Sequence, residues 1–249
     1  MFRFVLIGAG QRGMIYARYA YQSGLADIVA LAEPDAARRE AAGKALFVSP
    51  ENCHASADAL LARGKIADAA IIASMDRDHY AQAMKALELG YDLLLEKPIS
   101  PDPRECMEIE RKAAQAGRRV AVCHVLRYSP FFREIKAVID SGELGRVLTI
   151  QHNENIGNWH MAHSFVRGNW GSSKASSPII MQKSCHDMDL LVWLTGSRAG
   201  RISSFGGLSY FKEENAPTGS GARCLNCAVA EACRFDARKM YLPLAGNWP

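Results

Sequence analysis

The feature that most constrains this chain is six residues long: Gly8-Ala9-Gly10-Gln11-Arg12-Gly13, directly after the apolar run Phe4 to Ile7 and directly before an amphipathic stretch. A G-x-G-x-x-G turn carries meaning only between a strand and a helix, and both flanks are present here. Gly8 permits the tight turn, Gly10 lets backbone approach a pyrophosphate, and Gly13 lets helix and strand pack closely. The helix that follows, with Gln11 and Arg12 in its first turn, offers unpaired N–H groups and the positive end of its dipole to phosphates. Glu33 lies 20 residues past Gly13 at the end of the next apolar run, where a carboxylate accepts hydrogen bonds from both ribose hydroxyls. These residues predict a dinucleotide site. A 2'-phosphate beside Glu33 would meet like charge, so NAD is preferred over NADP, while Arg38 and Arg39 suit either a phosphate or the outer face of a helix.

The same grammar runs through the first half. Short apolar runs at Phe4 to Ile7, Ile28 to Ala32, Ala69 to Ala73, Leu93 to Leu95 and Val120 to Cys123 alternate with amphipathic stretches. Those stretches fall at about Gly13 to Ser23, Ala36 to Ala45, Ala57 to Arg63, Tyr80 to Leu89 and Pro103 to Ala116. Runs apolar at every residue suit strands covered on both faces, so the pattern predicts an α/β, doubly wound parallel sheet of Rossmann type over residues 1–124. Beyond His124 the grammar changes. Ser129-Pro130 opens a helix through Ile139, Val147 to His152 reads as a half-polar strand, and Gly157 to Pro178 as a long aperiodic loop. His186 to Leu194 reads as a helix closed by Gly196, and Ile202 to Tyr210 as a further strand. Residues 125–249 are therefore expected to form a partial α+β second domain, although Ala245 to Pro249 does not read as a domain end.

Length and charge limit the partners. With 249 residues the chain buries a substantial core, in one large domain or two modest ones. Its 30 Lys and Arg against 26 Asp and Glu leave a net +4 without a basic run, which gives no footing for nucleic acid or an acidic membrane surface. Apolar stretches such as Asp68 to Ser74 fall short of the roughly 20 residues a spanning helix needs. Met1 leads straight into a strand without a charged leader, so a cytoplasmic protein is expected.

Open α/β sheets bind ligands beyond the carboxyl ends of their strands. By that rule Ala73-Ser74-Met75-Asp76-Arg77-Asp78-His79 and Glu96-Lys97-Pro98 border the crevice for a nicotinamide, which adds Ser74, His79, Glu96 and Lys97 to the cofactor site. With the glycine turn, these segments resemble the Gfo/Idh/MocA family of oxidoreductases. Arg127-Tyr128-Ser129-Pro130, Ser141-Gly142-Glu143-Leu144-Gly145, His163 to Trp170 and Lys183-Ser184-Cys185-His186-Asp187-Met188-Asp189 are similar to that family as well, over Met1 to about Tyr241.

The resemblance implies that Lys97 lies beside a substrate hydroxyl and that His186 acts as acid and base. Removing hydride from a secondary alcohol carbon requires removing the hydroxyl proton too; an imidazole titrates near neutrality, and an ammonium stabilises negative charge on the oxygen. It implies a cis proline after the lysine, which Pro98 permits, and an aspartate four residues before the histidine. This chain has Gln182 there, followed by Lys183. Glutamine orients an imidazole or binds a sugar hydroxyl but carries no charge, which leaves a proton route through Asp187 or Asp189 open. The resemblance further implies a broad, mostly antiparallel sheet in the second domain, used for contacts in a homo-oligomer. Two strands of it are evident, so a fragment or an unusually short member is expected.

The stretch Trp159 to Trp170 sets indoles and imidazoles among hydrogen-bonding neighbours, which suits the faces of a sugar or cyclitol. Arg127, Tyr128, His160, His163, Arg167, Trp170, Gln182 and Lys183 are the expected substrate contacts, with Arg167 either clamping an anionic group or pairing with an acid. Cys224-x2-Cys227-x5-Cys233 is compact enough for three thiolates to meet at zinc or an iron-sulfur centre. A structural zinc normally takes four ligands, so an incomplete metal site and a loop of reduced cysteines both stay open. The expected function is hydride transfer between NAD(P) and a secondary hydroxyl or carbonyl of a sugar, cyclitol or polyol. An NAD-dependent glycoside hydrolase would use the same lysine and histidine, and a catalytically silent nucleotide binder would share the glycine turn.

Overall fold

Six strands pair in parallel in the order β3-β2-β1-β4-β5-β6: β1 (Phe2–Ile7), β2 (Ala26–Ala32), β3 (Cys53–His54), β4 (Ala69–Ile72), β5 (Asp92–Leu95) and β6 (Val120–Val122). The computed structural model describes residues 1–245. Helices α1 (Gln11–Gln22), α2 (Ala36–Leu46), α3 (Ala57–Leu61), α4 (His79–Glu88) and α5 (Pro103–Ala116) alternate with the strands.

Neighbouring residues of one strand feed two different cores. Val5 and Ile7 join Ile72, Leu95, Leu87 and Ile109 on one face, whereas Leu6, Leu31 and Ile71 pack with Ala17 and Leu46 on the other. A strand covered on both faces has no polar side to show, which is why these runs do not alternate. Each fully buried Leu or Ile contributes about 1.5–3 kcal/mol. The two residues of β3 carry no apolar run because they sit at the sheet edge, paired with Leu31 and Ala32, and nothing in the sequence marks them.

Helix ends follow local chemistry. Asp35, Ser56 and Asp102 accept N–H groups of Arg38, Ala59 and Arg104 at the starts of α2, α3 and α5, and Gly117 ends α5 at φ +62°. The glycine turn differs: α1 begins at Gly10 with no side chain capping it.

After β6, a 3₁₀ turn (Val125–Tyr128) leads into α6 (Pro130–Asp140), with Ser129 as its cap. The stretch expected as an aperiodic loop holds α7 (Asn158–His160), which continues as a π-helical segment over Met161–Arg167 and buries Ala162 and Ser164. Then come α8 (Ile179–Gln182), α9 (Ser184–Thr195), ended by Gly196 at φ +63°, and α10 (Ala237–Tyr241). The two strands expected at Val147 to His152 and Ile202 to Tyr210 are not formed. An extended apolar segment becomes a strand only when a neighbour supplies the other half of the ladder, and among the described residues neither segment has one. Phe205 is accordingly 96% exposed. The reading of Ala245 to Pro249 lies, from Gly246 onward, outside the described residues. Among the described residues no helix is long and apolar enough to cross a membrane.

The second half meets the sheet beyond the carboxyl ends of β4 and β5. The Arg77 guanidinium donates to the carbonyls of Ser173 (3.0 Å) and Ser176 (3.3 Å), and Asp76 accepts from the Ser177 amide at 2.8 Å. These contacts close a cleft over the strand ends.

Candidate active site

The three glycines divide their work. A Cβ on Gly13 would lie 2.0 Å from the Gly8 carbonyl oxygen, and one on Gly8, which sits at φ +90°, would lie 2.6 Å from the Ala73 carbonyl oxygen. Both are packing requirements. A Cβ on Gly10 would meet nothing within 4 Å, so the uncapped start of α1 opens onto free space, with Gln11 and Arg12 exposed beside it. This is an arrangement that accepts a phosphate group. Glu33 is buried next to the turn, where its carboxylate accepts from the Ala9 amide at 3.0 Å, the Asp35 amide at 3.1 Å and the Arg38 guanidinium at 2.8 Å. Arg39 donates to the Glu33 carbonyl at 2.6 Å. Both arginines that the sequence left between two roles are thus turned back onto Glu33.

At the ends of β4 and β5, two residues expected to touch a cofactor have their side chains tied into the scaffold. His79 is 1% exposed, with Nδ1 2.9 Å from the Pro98 carbonyl and Nε2 3.3 Å from the Ser74 carbonyl, so its ring ties one loop to the other. Glu96 is buried and accepts from the Tyr16 hydroxyl of α1 and from the Lys97 amide (2.8 Å). Ser74 donates its hydroxyl to Gln82 at 2.6 Å. The Lys97–Pro98 bond is cis.

Lys97 itself reaches across the cleft, where its Nζ donates to the Gln182 carbonyl at 2.8 Å, in the turn that opens α9. Burial pushes its pKa below the usual lysine value, and the neighbouring Lys183 and Arg12 act in the same direction. Four residues beyond Gln182 stands His186, whose pKa is pushed down to about 4 by burial first, then by Lys97, His124 and Lys183. Its ring is therefore neutral, and able to accept a proton, at ordinary pH.

The neighbouring acids each have a partner. His152 Nε2 lies 2.7 Å from Asp187 Oδ1, and Arg127 holds both oxygens of Asp189 at 2.7 and 2.6 Å. The Gln182 side chain, which replaces the expected aspartate, donates to Asp76 at 2.6 Å. Asp76 also accepts from the Ser177 hydroxyl, so a carboxylate of the first half supports the turn on which Lys97 rests. Sequence reasoning assigned no role to Asp76, Tyr16 or His124. Asp76 and His124 lie just past strand ends, where the switch-point rule was the available signal; Tyr16 carried none.

The remaining expected contacts are scattered. Lys183 lies 3.3 Å from Glu154, Tyr128 is exposed, Trp170 is half-buried, and His160 stacks on Phe165 with ring centroids 5.8 Å apart. His163 stacks on Trp159 and lies 3.1 Å from the Tyr241 hydroxyl, while Arg167 donates to the Phe235 carbonyl and lies 3.2 Å from Met240 Sδ. Arg167 and His163 hold the α10 segment, and among the described residues Arg167 is paired with no acid. The metal expectation for Cys224, Cys227 and Cys233 is corrected: among the described residues no group of three or more His, Cys, Asp or Glu side chains converges on one point. Cys227 Sγ accepts the Gly221 amide at 3.3 Å, and the Arg167 guanidinium lies 4.0 Å from Cys224 Sγ.

The depressed pKa of His186 sets a pH window for stability. Between its ordinary value of 6.5 and its folded value of about 4, the unfolded chain binds a proton that the folded chain does not. Stability is expected to fall as pH is lowered through that window. Urea midpoints measured across it check this, and His186→Leu should flatten the slope; an unchanged slope would mean that the ring is not held neutral.

Comparison with known proteins gives consistent matches. A family model described as the oxidoreductase family, NAD-binding Rossmann fold, matches residues 2–124, and one described as the GFO/IDH/MocA C-terminal domain matches residues 132–221. Inositol 2-dehydrogenase 4 of Saccharopolyspora erythraea is 30% identical over 205 residues, covering 81% of this chain and 56% of that protein. Inositol 2-dehydrogenase of Corynebacterium glutamicum is 31% identical over 208 residues, covering 79% of this chain and 55% of that protein. Among solved structures, apo scyllo-inositol dehydrogenase from Lactobacillus casei superposes with a TM-score of 0.66 at 23% identity, over 79% of this chain and 55% of its own, a likeness of fold. The WlbA dehydrogenase from Bordetella pertussis, in complex with NADH and UDP-GlcNAcA, superposes with a TM-score of 0.64 at 25% identity, over 77% of this chain and 57% of its own. The chain spans about half the length of the curated relatives it matches.

Proposed function

Since the chain belongs to the Gfo/Idh/MocA oxidoreductase family, we propose that it carries the machinery of an NAD-dependent dehydrogenase acting on a secondary hydroxyl or carbonyl of a sugar, cyclitol or polyol. One observation carries this reading: Lys97, at the end of β5, seats its ammonium on the Gln182 carbonyl, in the turn that delivers a neutral His186. The names of the inositol 2-dehydrogenase relatives support the substrate class. We assign residues 1–124 to the nucleotide domain and residues 125–249 to substrate binding and subunit contact.

The residues present fit a dinucleotide. Gly10 leaves the start of α1 open to the pyrophosphate, and Glu33 is held beside the turn for the ribose hydroxyls. When bound, the nicotinamide supplies the hydride acceptor or donor. The chain's own groups handle the oxygen. Lys97 has N–H groups beyond the one given to Gln182 and uses them to hold the substrate oxygen and stabilise negative charge on it. His186 takes the hydroxyl proton in oxidation and returns it in reduction. Incubation with NAD and a panel of sugars and cyclitols tests the reading: NADH is expected with at least one of them, and NAD binding without reduction across the panel would overturn it.

Cofactor choice follows from Glu33. A 2'-phosphate there would face a buried carboxylate, and Arg38 is already paired with that carboxylate. Glu33→Ser removes the repulsion and frees Arg38, so the ratio of kcat/KM for NADP over NAD is expected to rise about tenfold or more, equivalent to about 1.4 kcal/mol. A ratio that stays constant would remove Glu33 from ribose recognition.

A further inference from the structure

We propose that Glu154 sets substrate specificity: with Lys183 it forms a subsite for a hydroxyl beside the reacting one, selecting neutral polyols over acidic sugars. This rests on the dehydrogenase reading above. Lys183 directly follows Gln182, whose carbonyl receives the Lys97 ammonium at 2.8 Å. Lys183 Nζ in turn lies 3.3 Å from Glu154 Oε1. A charge-assisted hydrogen bond runs about 2.7–2.9 Å, so this contact is a loose one. Lys97 and His186 are both pushed down in pKa by burial first, and Lys183 is among the neighbouring cations that add to it, so its ammonium borders the same cleft.

Glu154 is carried on the segment after Val147, where alternate residues reach the start of α9. His152 Nε2 lies 2.7 Å from Asp187 Oδ1, and Glu154 meets Lys183 four residues earlier. The Asp187 side chain is only 8% exposed, so the His152 contact seats the segment and fixes where Glu154 stands. The Glu154 side chain is 39% exposed and that of Lys183 22%, so neither is closed to a ligand. His160 borders the same space: burial lowers its pKa first, then Lys183, His163 and Lys97, while Glu154 acts in the opposite direction.

The two side chains are complementary in what they offer. An ammonium has three N–H donors and no acceptor, whereas a carboxylate has acceptor sites only, about four of them. One loose contact between them uses little of that capacity. A hydroxyl both donates and accepts, so a single hydroxyl bridges the pair, accepting from Lys183 and donating to Glu154. A ligand carboxylate satisfies Lys183 but brings like charge against Glu154, and a ligand ammonium does the same against Lys183. A neutral polyol escapes both penalties. Its hydroxyls on successive carbons place one oxygen at Lys97 and His186 and a neighbour at Lys183 and Glu154.

Glu154 touches no reacting atom in this assignment, so its substitution is expected to move affinity and selectivity, not the chemical step. Alcohols bind the NADH-loaded chain without reacting, which allows a test free of turnover. Calorimetric dissociation constants are measured there for myo-inositol, glucose, galactose, glucuronate and galacturonate. In wild type at least one neutral member is expected to bind about tenfold or more tightly than either uronate. Glu154→Gln keeps the shape and loses the charge, so it should weaken that neutral ligand about tenfold. It should also narrow the neutral-to-acid ratio further, because Lys183 is then free for the uronate carboxylate. Glu154→Ala serves if the glutamine variant does not fold.

A uronate bound as tightly as every neutral member in wild type, an unchanged ratio in a folded variant, or no binding across the panel would overturn the proposal. In steady-state rates KM for the neutral substrate should rise about tenfold at nearly constant kcat. A loss confined to kcat would overturn it as well. The two readings fail separately: a shifted binding ratio without NADH formation from any polyol sinks the dehydrogenase reading and leaves the subsite, whereas NADH formation with an unshifted ratio does the reverse.

Discussion

Lys97→Ala is expected to lower the rate of NADH formation at least a hundredfold, within the range of about 10²–10⁴ typical of groups that stabilise or move a proton in the reacting complex. The size of the effect follows from where the ammonium is held. It is half-buried, hydrogen-bonded to the Gln182 carbonyl, and bracketed through its own amide by Glu96, which Tyr16 holds in turn. Charge held in a partly desolvated cleft stabilises an oxyanion more than it would in water. NAD affinity should change by only a few-fold, because the glycine turn and Glu33 are untouched. Steady-state rates with NAD and an oxidised polyol, beside a binding titration, separate the two quantities. Equal rates would remove Lys97 from the mechanism.

The second large effect contrasts two glycines three residues apart. A Cβ on Gly13 meets the Gly8 carbonyl oxygen at 2.0 Å, and Gly8 has no room to retreat because it abuts Ala73 and Ser74. Gly13→Ala is therefore expected to destabilise the chain by about 1–3 kcal/mol and to distort the turn enough to abolish measurable NAD binding. Gly10→Ala meets no protein atom within 4 Å. It should leave stability within about 0.5 kcal/mol of wild type, as substitutions away from packed features do, while weakening NAD about tenfold or more because the methyl group enters the space meant for phosphate. Thermal unfolding and an NAD titration on both variants make the comparison. If Gly10→Ala binds NAD as tightly as wild type, the pyrophosphate does not lie against this turn.

Much of the first half was legible because its information is local. The turn chemistry at Gly8 to Gly13 and the uninterrupted apolar runs each reflect forces acting over a few residues or over the two faces of one strand. The second half was read less well. Val147 to His152 and Ile202 to Tyr210 have strand composition, yet pairing depends on a neighbour that the segment itself does not encode. The loop from Gly157 to Pro178, read as aperiodic, coils into α7 and a π-helical segment.

The candidate site divides in the same way. Its members Lys97, Glu33 and the glycines stood out by residue type and position, and so did His79, Glu96 and Arg167, whereas His186 entered through the resemblance to the Gfo/Idh/MocA family. Residue type alone did not say that His79 and Glu96 face inward as braces or that Arg167 is held by the Phe235 carbonyl, because burial and partner are properties of the packed chain.

What the sequence by itself determined is the doubly wound sheet, its nucleotide turn and the acid that serves it, since hydrophobic period and backbone freedom act along the chain. Only the tertiary structure decided that Asp76 supports Gln182 from 106 residues away, that Lys97 rests on the Gln182 carbonyl 85 residues on, and that His124 faces His186. The physical reason is that such contacts are chosen by the burial of many other residues at once, and no periodicity or spacing in one strand of text carries that sum.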